Sequence, residues 1–350
     1  MAVALGSSAP IAVAVVGYGY GGRTMHVPLI DATKGLDMRL VVTSDPAKVA
    51  ADFAEMQTVN DIEDALQDPG IELVVIVTPN DSHASLAERA LRAGKHVVVD
   101  KPFTIRSEDG RKLVGLAEEC GRMLSVYQSR RWEADYLALS QVIDSGALGE
   151  VIYFESHLDR YRPNVRDRWR ERAEPGAGIW YDLGSHLIDQ ALQLFGRPDE
   201  ISADIQAQRA GASADDYFHA ILFYGERRVV LHSTCLAVAG GQRFVVHGTK
   251  GSFVKHGRDP QEEALQAQTR PGSPGWGRDP YPGLLTLADG SGAHHVEGPP
   301  GDYREFYARV RDTIRCDAPN PVPAGEAVAV IEVIEAGLAS AANKSRACIA

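Results

Sequence analysis

The sequence predicts an α/β protein in which a parallel sheet covered by helices comes first and an open, mostly antiparallel sheet follows. In the first third of the chain, short apolar runs alternate with helical patterns, which is typical of a parallel sheet covered on both faces. After about Arg130, longer alternating segments and glycine turns replace this pattern. The chain has 350 residues, more than one core usually supports, so we predict two domains at 1–130 and 131–350.

The first domain is predicted to contain alternating strands and helices. Each strand is a continuous apolar run, as expected for strands buried on both faces. Gly94 follows the fourth helix, where the chain often needs a left-handed residue. The predicted strands are 11–16, 39–43, 73–77, 96–99 and 123–127, and the predicted helices are 23–32, 46–54, a short turn at 62–66, 82–93 and 107–120.

The second domain is predicted to contain an antiparallel sheet with one face covered by helices. Two of its strands flank Gly225 and Glu226, which is a hairpin signal. Residues 257–301 are rich in glycine, proline and aspartate, which predicts an extended surface excursion. The last helix is a candidate to pack back on the first domain. The predicted strands are 150–161, 200–209, 217–224, 229–237, 244–248 and 252–256, and the helices are 303–314 and 324–342.

The composition is that of an ordinary globular protein. Hydrophobic residues make up 44% and charged residues 24%, and the net charge is −11. An acidic surface repels nucleic acid and anionic membranes, so we expect neither as a partner. No apolar stretch approaches the roughly 18 residues of a membrane span, and 11–16 predicts a strand rather than a signal peptide. Four scattered cysteines without metal-like spacing favour free thiols and a cytoplasmic protein.

A glycine loop at 17–22 matches the pattern GxGxxG between the first predicted strand and the first predicted helix. This context supports dinucleotide binding by a Rossmann domain. Gly17 would make the tight turn, Gly19 would let the backbone approach a pyrophosphate, and Gly22 would allow close helix–strand packing. The pyrophosphate would then meet the N–H groups at the helix start. Tyr18, inside the loop, is included in the predicted cofactor site.

The end of the second strand favours NADP over NAD. NAD-binding domains usually place an acid here to bind the ribose hydroxyl. This chain instead has Thr43 and Ser44, whose hydroxyls can donate to a 2′-phosphate without repelling it. Asp45 comes a residue or two late and is equally well explained as the N-cap of the next helix. Lys48 lies near enough in sequence to neutralise a phosphate.

Two clusters carry candidate reacting groups. Asp100 and Lys101 follow the fourth predicted strand, at the edge where open α/β sheets bind ligands; a surface lysine at a strand end is the alternative. Asp182 and His186 would lie on one helix face, where the carboxylate would raise the proton affinity of the imidazole and hold it in place. A helix-surface ion pair is the alternative there. No third ligand accompanies this pair, so we expect no metal.

These residues together resemble the Gfo/Idh/MocA oxidoreductase family over essentially the whole chain. The glycine loop, the segment 78–83, the Asp100–Lys101–Pro102 turn and the Asp182/His186 pair occur in the order typical of the family. A closer similarity is to the branch that contains NADP-dependent scyllo-inositol 2-dehydrogenase. The stretches that carry it are 130–132, 167–171, 178–186, 216–219 and 259–263.

The resemblance implies a site as well as a fold. Lys101, Asp182 and His186 would be the catalytic set. The cofactor would also contact Thr78, Pro79, Asn80, His83 and Asp100. Two departures concern this site: Asp100 replaces the usual glutamate, and Gln128–Ser129 replaces a His–Asn pair of the inositol-like branch.

The activity implied is hydride transfer between a polyol or sugar hydroxyl and a nicotinamide ring. His186 would take the hydroxyl proton and Lys101 would stabilise the alkoxide, although a lysine with a lowered pKa could itself be the base. Four residues near the expected mouth of the site would bind the substrate hydroxyls or, alternatively, form a charged surface loop: Arg160, Tyr161, Trp169 and Arg170. A cofactor-sensing protein without turnover and an NAD-dependent glycosidase are the alternative functions. An exposed sheet face predicts a homodimer or homotetramer.

Overall fold

Two β-sheets organise residues 9–349, the part of the chain that the computed structural model describes. The first sheet has six parallel strands in the order β3-β2-β1-β4-β5-β6. Its central strands are fully buried apolar runs, as predicted. Its strands are β1 Ile11–Val16, β2 Leu36–Val42, β3 Gln57–Val59, β4 Leu73–Ile76, β5 His96–Val99 and β6 Leu124–Val126.

Helices cover both faces of this parallel sheet. The glycine loop leads into a π-helical segment, Gly21–His26, which continues as α1. Gly94 has a φ of 74°, which confirms the predicted left-handed residue after the fourth helix. The helices are α1 Val27–Asp31, α2 Pro46–Asp52, α3 Ile62–Gln67, α4 His83–Arg92 and α5 Ser107–Cys120. This is the Rossmann arrangement that the sequence predicted.

The second sheet has nine strands in the order β14-β13-β12-β11-β7-β10-β9-β8-β15. Neighbouring strands are antiparallel except β7 and β10, which are parallel. The predicted hairpin between β9 and β10 is confirmed. The strands are β7 Val151–His157, β8 Glu200–Gln206, β9 Tyr217–Tyr224, β10 Arg227–Thr234, β11 Gln242–Gly248, β12 Gly251–His256, β13 Gly283–Leu287, β14 Gly292–Val296 and β15 Ala347–Cys348.

One face of the second sheet packs against helices, and residues 257–301 are more ordered than predicted. The extended surface excursion predicted here contains regular structure that was not predicted, because the segment folds into a short helix and into the neighbouring strands β13 and β14 at one edge of the sheet. The helices that pack on this sheet are α6 Ala134–Asp144, α7 Ser185–Phe195 and α10 Ala324–Asn343, and the remaining two, α8 Gln261–Gln266 and α9 Arg304–Cys316, pack against the first domain. No helix among residues 9–349 is long and apolar enough to cross a membrane.

Two hydrophobic cores correspond to the two sheets, and the C-terminal helices contact both. Phe306 and Val310 of α9 belong to the core of the parallel sheet. In α10, Val328 joins that same core, whereas Ile331 and Ile334 join the core of the second sheet. The domain boundary near residue 130 stays a prediction, but α10 ties the two cores together and limits how far they can move apart.

A buried arginine fixes α7 against the second sheet. Arg243 of β11 is 2% exposed, and its guanidinium donates to Asp135 Oδ2 of α6 at 2.9 Å and to Gln190 Oε1 of α7 at 2.9 Å. A guanidinium out of water is tolerated only when its charge and donors are matched in this way.

We expect Arg243→Met to lower the free energy of unfolding by about 3–5 kcal/mol, because it leaves the Asp135 carboxylate buried without its cation. Chemical denaturation monitored by circular dichroism measures this loss. The matched control is Arg89→Met, which removes an exposed pair with Glu63 and should cost at most about 1 kcal/mol. Equal losses in the two variants would contradict the proposed role of Arg243.

Candidate active site

A cleft of about 730 Å³ lies at the carboxyl edge of the parallel sheet. Gly21 of the glycine loop and Lys101 after β5 line one side of it. Asp182 and His186, which belong to the second domain, line the other side. The structure therefore brings both predicted clusters of reacting groups into one cavity, at the edge of an open α/β sheet where ligands bind.

The glycine loop has the shape of a cradle for a diphosphate. Gly17 has a φ of 101°, and a Cβ added to it would lie 2.3 Å from the carbonyl oxygen of Val77. A Cβ on Gly22 would lie 2.1 Å from the carbonyl oxygen of Gly17. A Cβ on Gly19 would meet no atom within 4 Å. The first and third glycines are thus required for packing, while the second leaves open space that fits a dinucleotide's pyrophosphate.

The side chain of Tyr18 is directed away from the loop. Its hydroxyl donates to Asp52 Oδ2 at 2.8 Å, and the same carboxylate binds Arg23 Nε at 2.6 Å. Tyr18 is only 4% exposed. Tyr18 was predicted to contact the cofactor. Because its side chain is buried against Asp52, only its backbone can make that contact.

The end of β2 offers hydroxyls rather than a free acid. Asp45 caps α2 by accepting a hydrogen bond from the Lys48 backbone N–H at 3.3 Å, so the capping interpretation of Asp45 is confirmed. Thr43 Oγ1 accepts from the Asp45 N–H at 3.1 Å, and Ser44 is exposed. Arg23, which the sequence analysis did not single out, lies near the same edge through its pair with Asp52.

The segment 78–83 packs against the turn that carries Lys101. His83 is buried, and its two ring nitrogens lie 2.9 Å from the Pro102 carbonyl and 3.0 Å from the Thr78 carbonyl. Burial lowers the pKa of His83. Asn80 Nδ2 donates to the Gly176 carbonyl at 2.8 Å, joining this segment to the second domain. The predicted contact of these residues and Pro79 with the cofactor stays a prediction.

Lys101 and Asp182 form an ion pair across the two domains. Lys101 Nζ donates to Asp182 Oδ1 at 2.8 Å and to the Asp182 carbonyl at 2.7 Å. Burial alone would raise the pKa of Asp182, but Lys101, Arg170 and Arg160 hold that pKa well below its usual range. The carboxylate therefore stays ionised and keeps the ammonium group fixed in the cleft.

His186 lies at the start of α7 beside this pair; Asp182 raises the proton affinity of its imidazole as predicted, but does not hold the ring by a hydrogen bond. The π-helical turn Trp180–Gly184 precedes α7, and the Asp182 carboxylate bonds to Lys101 instead of the imidazole. His186 Nδ1 is buried without a hydrogen-bond partner among residues 9–349. Burial and the charges of Lys101 and Arg130 lower the pKa of His186 well below 6.5, outweighing the opposite effect of Asp182. The imidazole is therefore neutral at neutral pH.

Asp100 is held by a buried histidine that the sequence analysis missed. His26 Nε2 lies 3.6 Å from Asp100 Oδ1, and His26 Nδ1 lies 2.6 Å from the Tyr307 hydroxyl. Burial alone would raise the pKa of Asp100, but His26 and Lys101 lower it to about 2. Asp100 Oδ1 also accepts from the Lys101 N–H at 2.8 Å, so this carboxylate fixes the turn that carries Lys101.

The predicted substrate residues are only partly brought into the cleft. Arg160 Nη2 lies 3.4 Å from Asp182 Oδ2, and Arg170 Nε lies 3.8 Å from Asp182 Oδ1. Tyr161 is 55% exposed and does not line the cleft. The ring of Trp169 packs 4.7 Å from the Arg170 guanidinium and supports that side chain from outside the cleft.

Helix α8 supplies cleft residues that the sequence analysis assigned to a surface excursion. Glu262 Oε2 accepts from Arg130 Nη2 at 2.8 Å, and Gln266 Nε2 donates to the Tyr20 hydroxyl of the glycine loop at 2.8 Å. These contacts close the cleft over the glycine loop. The sequence analysis noted residues 259–263 only as a stretch similar to the family branch, and that similarity was the one indication that they lie near the site.

Outside the cleft, the described residues also form one group of possible metal ligands. Asp159 lies 3.2 Å from His157 Nδ1 and 3.6 Å from His232 Nε2. His157 and Asp159 are two positions apart at the end of β7, but His232 lies on β10, so the sequence alone did not show the third residue of the group.

The fold and this site define a two-domain dinucleotide-binding oxidoreductase. The N-terminal half matches the model described as the oxidoreductase family, NAD-binding Rossmann fold, at residues 11–128. Residues 140–349 match the C-terminal alpha/beta domain of the same oxidoreductase family. The chain belongs to the Gfo/Idh/MocA oxidoreductase family.

Relatives with known sequences or structures are similar over nearly their full lengths. The chain is 49% identical to the uncharacterized oxidoreductase YdgJ of Escherichia coli K12, covering 97% of this chain and 99% of YdgJ. It is 39% identical to IolW of Bacillus subtilis 168, a scyllo-inositol 2-dehydrogenase (NADP(+)), covering 95% and 94%. The structure of YPO2259 from Yersinia pestis is 49% identical, with a TM-score of 0.94 and coverage of 98% of both chains.

The lowered pKa of His186 predicts a pH effect on stability. Below pH 6.5 the unfolded chain takes up a proton that the buried imidazole refuses, so the folded state loses stability as the pH falls. Between pH 7 and pH 5, we expect the free energy of unfolding of the wild type to fall by up to about 2 kcal/mol more than that of His186→Gln, which lacks the titrating imidazole. Urea denaturation at both pH values measures this difference. His294→Gln, on exposed β14, is the control and should behave as the wild type.

Proposed function

We propose that this protein is an NADP-linked dehydrogenase that oxidises a hydroxyl of a polyol or sugar and can reduce the corresponding ketone. The observation that carries the proposal is the Lys101–Asp182 ion pair, which lies beside neutral His186 in the cleft that the glycine loop borders. A cation, a proton acceptor and a cradle for a dinucleotide therefore meet at one sheet edge. These are the groups that alcohol oxidation requires.

A bound nicotinamide would supply the hydride chemistry, and the protein's own residues manage charge and position. Lys101 is held by two acceptors on Asp182, so its ammonium group is oriented before substrate arrives and stabilises a developing alkoxide. His186 lines the cleft and is neutral at neutral pH because its pKa is lowered, so its imidazole is in the form that can accept the hydroxyl proton. This supports His186 as the base and Lys101 as the electrostatic group.

The similarity to named dehydrogenases supports a polyol substrate. IolW is named for scyllo-inositol, and a relative in Rhizobium meliloti, 29% identical over 68% of this chain, is an inositol 2-dehydrogenase. An absorbance assay at the nicotinamide band, run with NAD and NADP against polyols, sugars and glycosides, tests the proposal. Net reduction supports it; glycoside cleavage without net reduction, or cofactor binding without any turnover, would contradict it.

The end of β2 supports NADP as the preferred cofactor. Asp45 is committed to capping α2, whereas Ser44 and Lys48 are exposed beside it. A 2′-phosphate would therefore meet donors and a cation instead of a carboxylate.

Self-association is a further part of the proposal. The second sheet carries half-exposed apolar side chains, among them Leu284 of β13, which precedes Leu285 of the helix-side core. Covering such side chains with a second copy is a common solution in symmetric oligomers. Sedimentation velocity tests whether the protein is a dimer or tetramer.

We expect Lys101→Ala to lower kcat by about 10²–10³-fold or more, because the alkoxide loses its fixed positive charge. Cofactor binding should persist, since the glycine loop is unchanged. Steady-state kinetics and fluorescence titration with NADPH measure the two effects. Lys112→Ala, on the exposed face of α5, is the control. Near-normal turnover of the Lys101 variant would end the proposed role.

We expect Gly19→Ala to fold normally and to bind NADPH at least about tenfold more weakly, because the new methyl group occupies the space left for the pyrophosphate. Gly115→Ala is the matched control, since a Cβ at that position in α5 also meets no atom within 4 Å. Calorimetric titration of both variants gives the Kd. Unchanged affinity in Gly19→Ala would show that no pyrophosphate lies against this residue.

A further inference from the structure

The substrate side of the cleft is strongly basic although the whole chain carries a net charge of −11. The connection between β7 and α7 contributes five arginines to the cleft lining, which we call the arginine cluster. Its members are Arg160, Arg162, Arg166, Arg168 and Arg170. The sequence analysis considered only the first and last of them, as ligands for hydroxyl groups.

Four of the five carboxylates in the described cleft lining have a partner outside the arginine cluster, although Asp182 also lies 3.4 Å from Arg160 and 3.8 Å from Arg170, and the fifth, Glu263, is exposed. Asp182 bonds to Lys101 at 2.8 Å, and Glu262 bonds to Arg130 at 2.8 Å. Asp259 accepts from the Ala134 backbone N–H at 2.7 Å. These acids therefore do not neutralise the arginine cluster as a whole.

Two members of the cluster have no carboxylate partner. The guanidinium groups of Arg162 and Arg166 have no carboxylate oxygen within 4.0 Å among residues 9–349. Arg162 is half-buried, and burial, together with the charges of Arg160, Arg168 and Arg166, lowers its pKa. Like charges held together in this way repel one another until an anion enters.

Guanidinium groups match carboxylates and phosphates, which accept two parallel hydrogen bonds and balance the charge. An uncharged polyol would leave the repulsion within the cluster in place. Neutral amide side chains, which suit hydroxyl groups, contribute only Gln266 to the described cleft lining. The lining thus favours a charged ligand over an uncharged one.

We propose that the substrate carries an anionic group, a carboxylate or a phosphate, which the arginine cluster binds while its reacting hydroxyl lies at Lys101 and His186. This inference rests on the proposed dehydrogenase function. Arg160 and Arg170 lie 3.4 and 3.8 Å from the Asp182 carboxylate that holds Lys101. The anionic end and the reacting carbon of one small sugar acid or sugar phosphate therefore fit in the same cleft.

The chemical step leaves the anionic group unchanged. The C–H bond of the secondary alcohol would break, and a bound oxidised nicotinamide would accept its hydride. The hydroxyl proton passes to His186, and a ketone forms. The arginine cluster binds and orients the substrate and takes no part in the transfer.

The test compares charged and uncharged ligands. Gluconate, glucuronate, glucose 6-phosphate, glucose and myo-inositol are titrated calorimetrically into the NADPH-loaded protein, and each is assayed for NADP reduction. We expect at least one charged compound to bind at least about tenfold more tightly than both uncharged ones, the effect of one charge-assisted hydrogen bond. The acids and the phosphate separate the two sources of negative charge.

Arg162→Gln and Arg166→Gln should remove this preference while leaving the affinity for glucose and myo-inositol unchanged. Arg172→Gln is the matched control, because Arg172 is exposed in the same segment, pairs with Asp167 and does not line the cleft. Added salt should weaken binding of the charged compounds in the wild type and in the control.

Three results would overturn the inference. The first is turnover of uncharged polyols without preference for any charged compound, which would overturn the inference and leave the proposed function intact. So would weaker NADPH binding in the two variants with unchanged ligand preference, because the arginines would then serve the cofactor's diphosphate. A protein that binds no nicotinamide cofactor would fail the proposed function itself, and the inference with it.

Discussion

The ion pair between Lys101 and Asp182 is the constraint on which the site depends. It joins the end of β5 in the first domain to the turn before α7 in the second, and both side chains are largely buried, at 13% and 21% exposure. Either charge alone in this position would be unfavourable, because a buried ion without its partner loses its hydration uncompensated. The ion pair therefore joins the two domains at the cleft, and α10, which contributes to both cores, links the same two domains.

The position of the cleft follows from the order of the parallel strands. The chain adds β2 and β3 on one side of β1 and adds β4, β5 and β6 on the other. The crevice of an open sheet lies where this order reverses, outside the carboxyl ends of the strands. The glycine loop follows β1 and Lys101 follows β5, so the backbone topology alone places the cradle and the cation at one edge. Single side-chain contacts then set the local geometry. For example, Asp100 accepts a hydrogen bond from the Lys101 N–H and fixes the turn that carries the lysine.

Much of the fold was predictable from the sequence, because buried parallel strands are continuous apolar runs and glycine loops have fixed requirements. The strand β3 was missed because it is short and only partly buried, and β13 and β14 were missed because their segment is rich in glycine and proline. The site was less predictable. Spacing placed Asp182 beside His186, but the carboxylate prefers a lysine 81 positions away, and the lowered pKa of His186 depends on burial that no local pattern reveals.

The distribution of charge links the fold to substrate selection. A protein with a net charge of −11 repels anions at long range, so a basic cleft is an isolated feature of its surface field. Low-dielectric walls focus such a field into the cleft, which raises the local concentration of a small anion there. Under the proposal, an anion that reaches the mouth would gain attraction as it approaches the arginine cluster, and the same charges would place its hydroxyl beside Lys101.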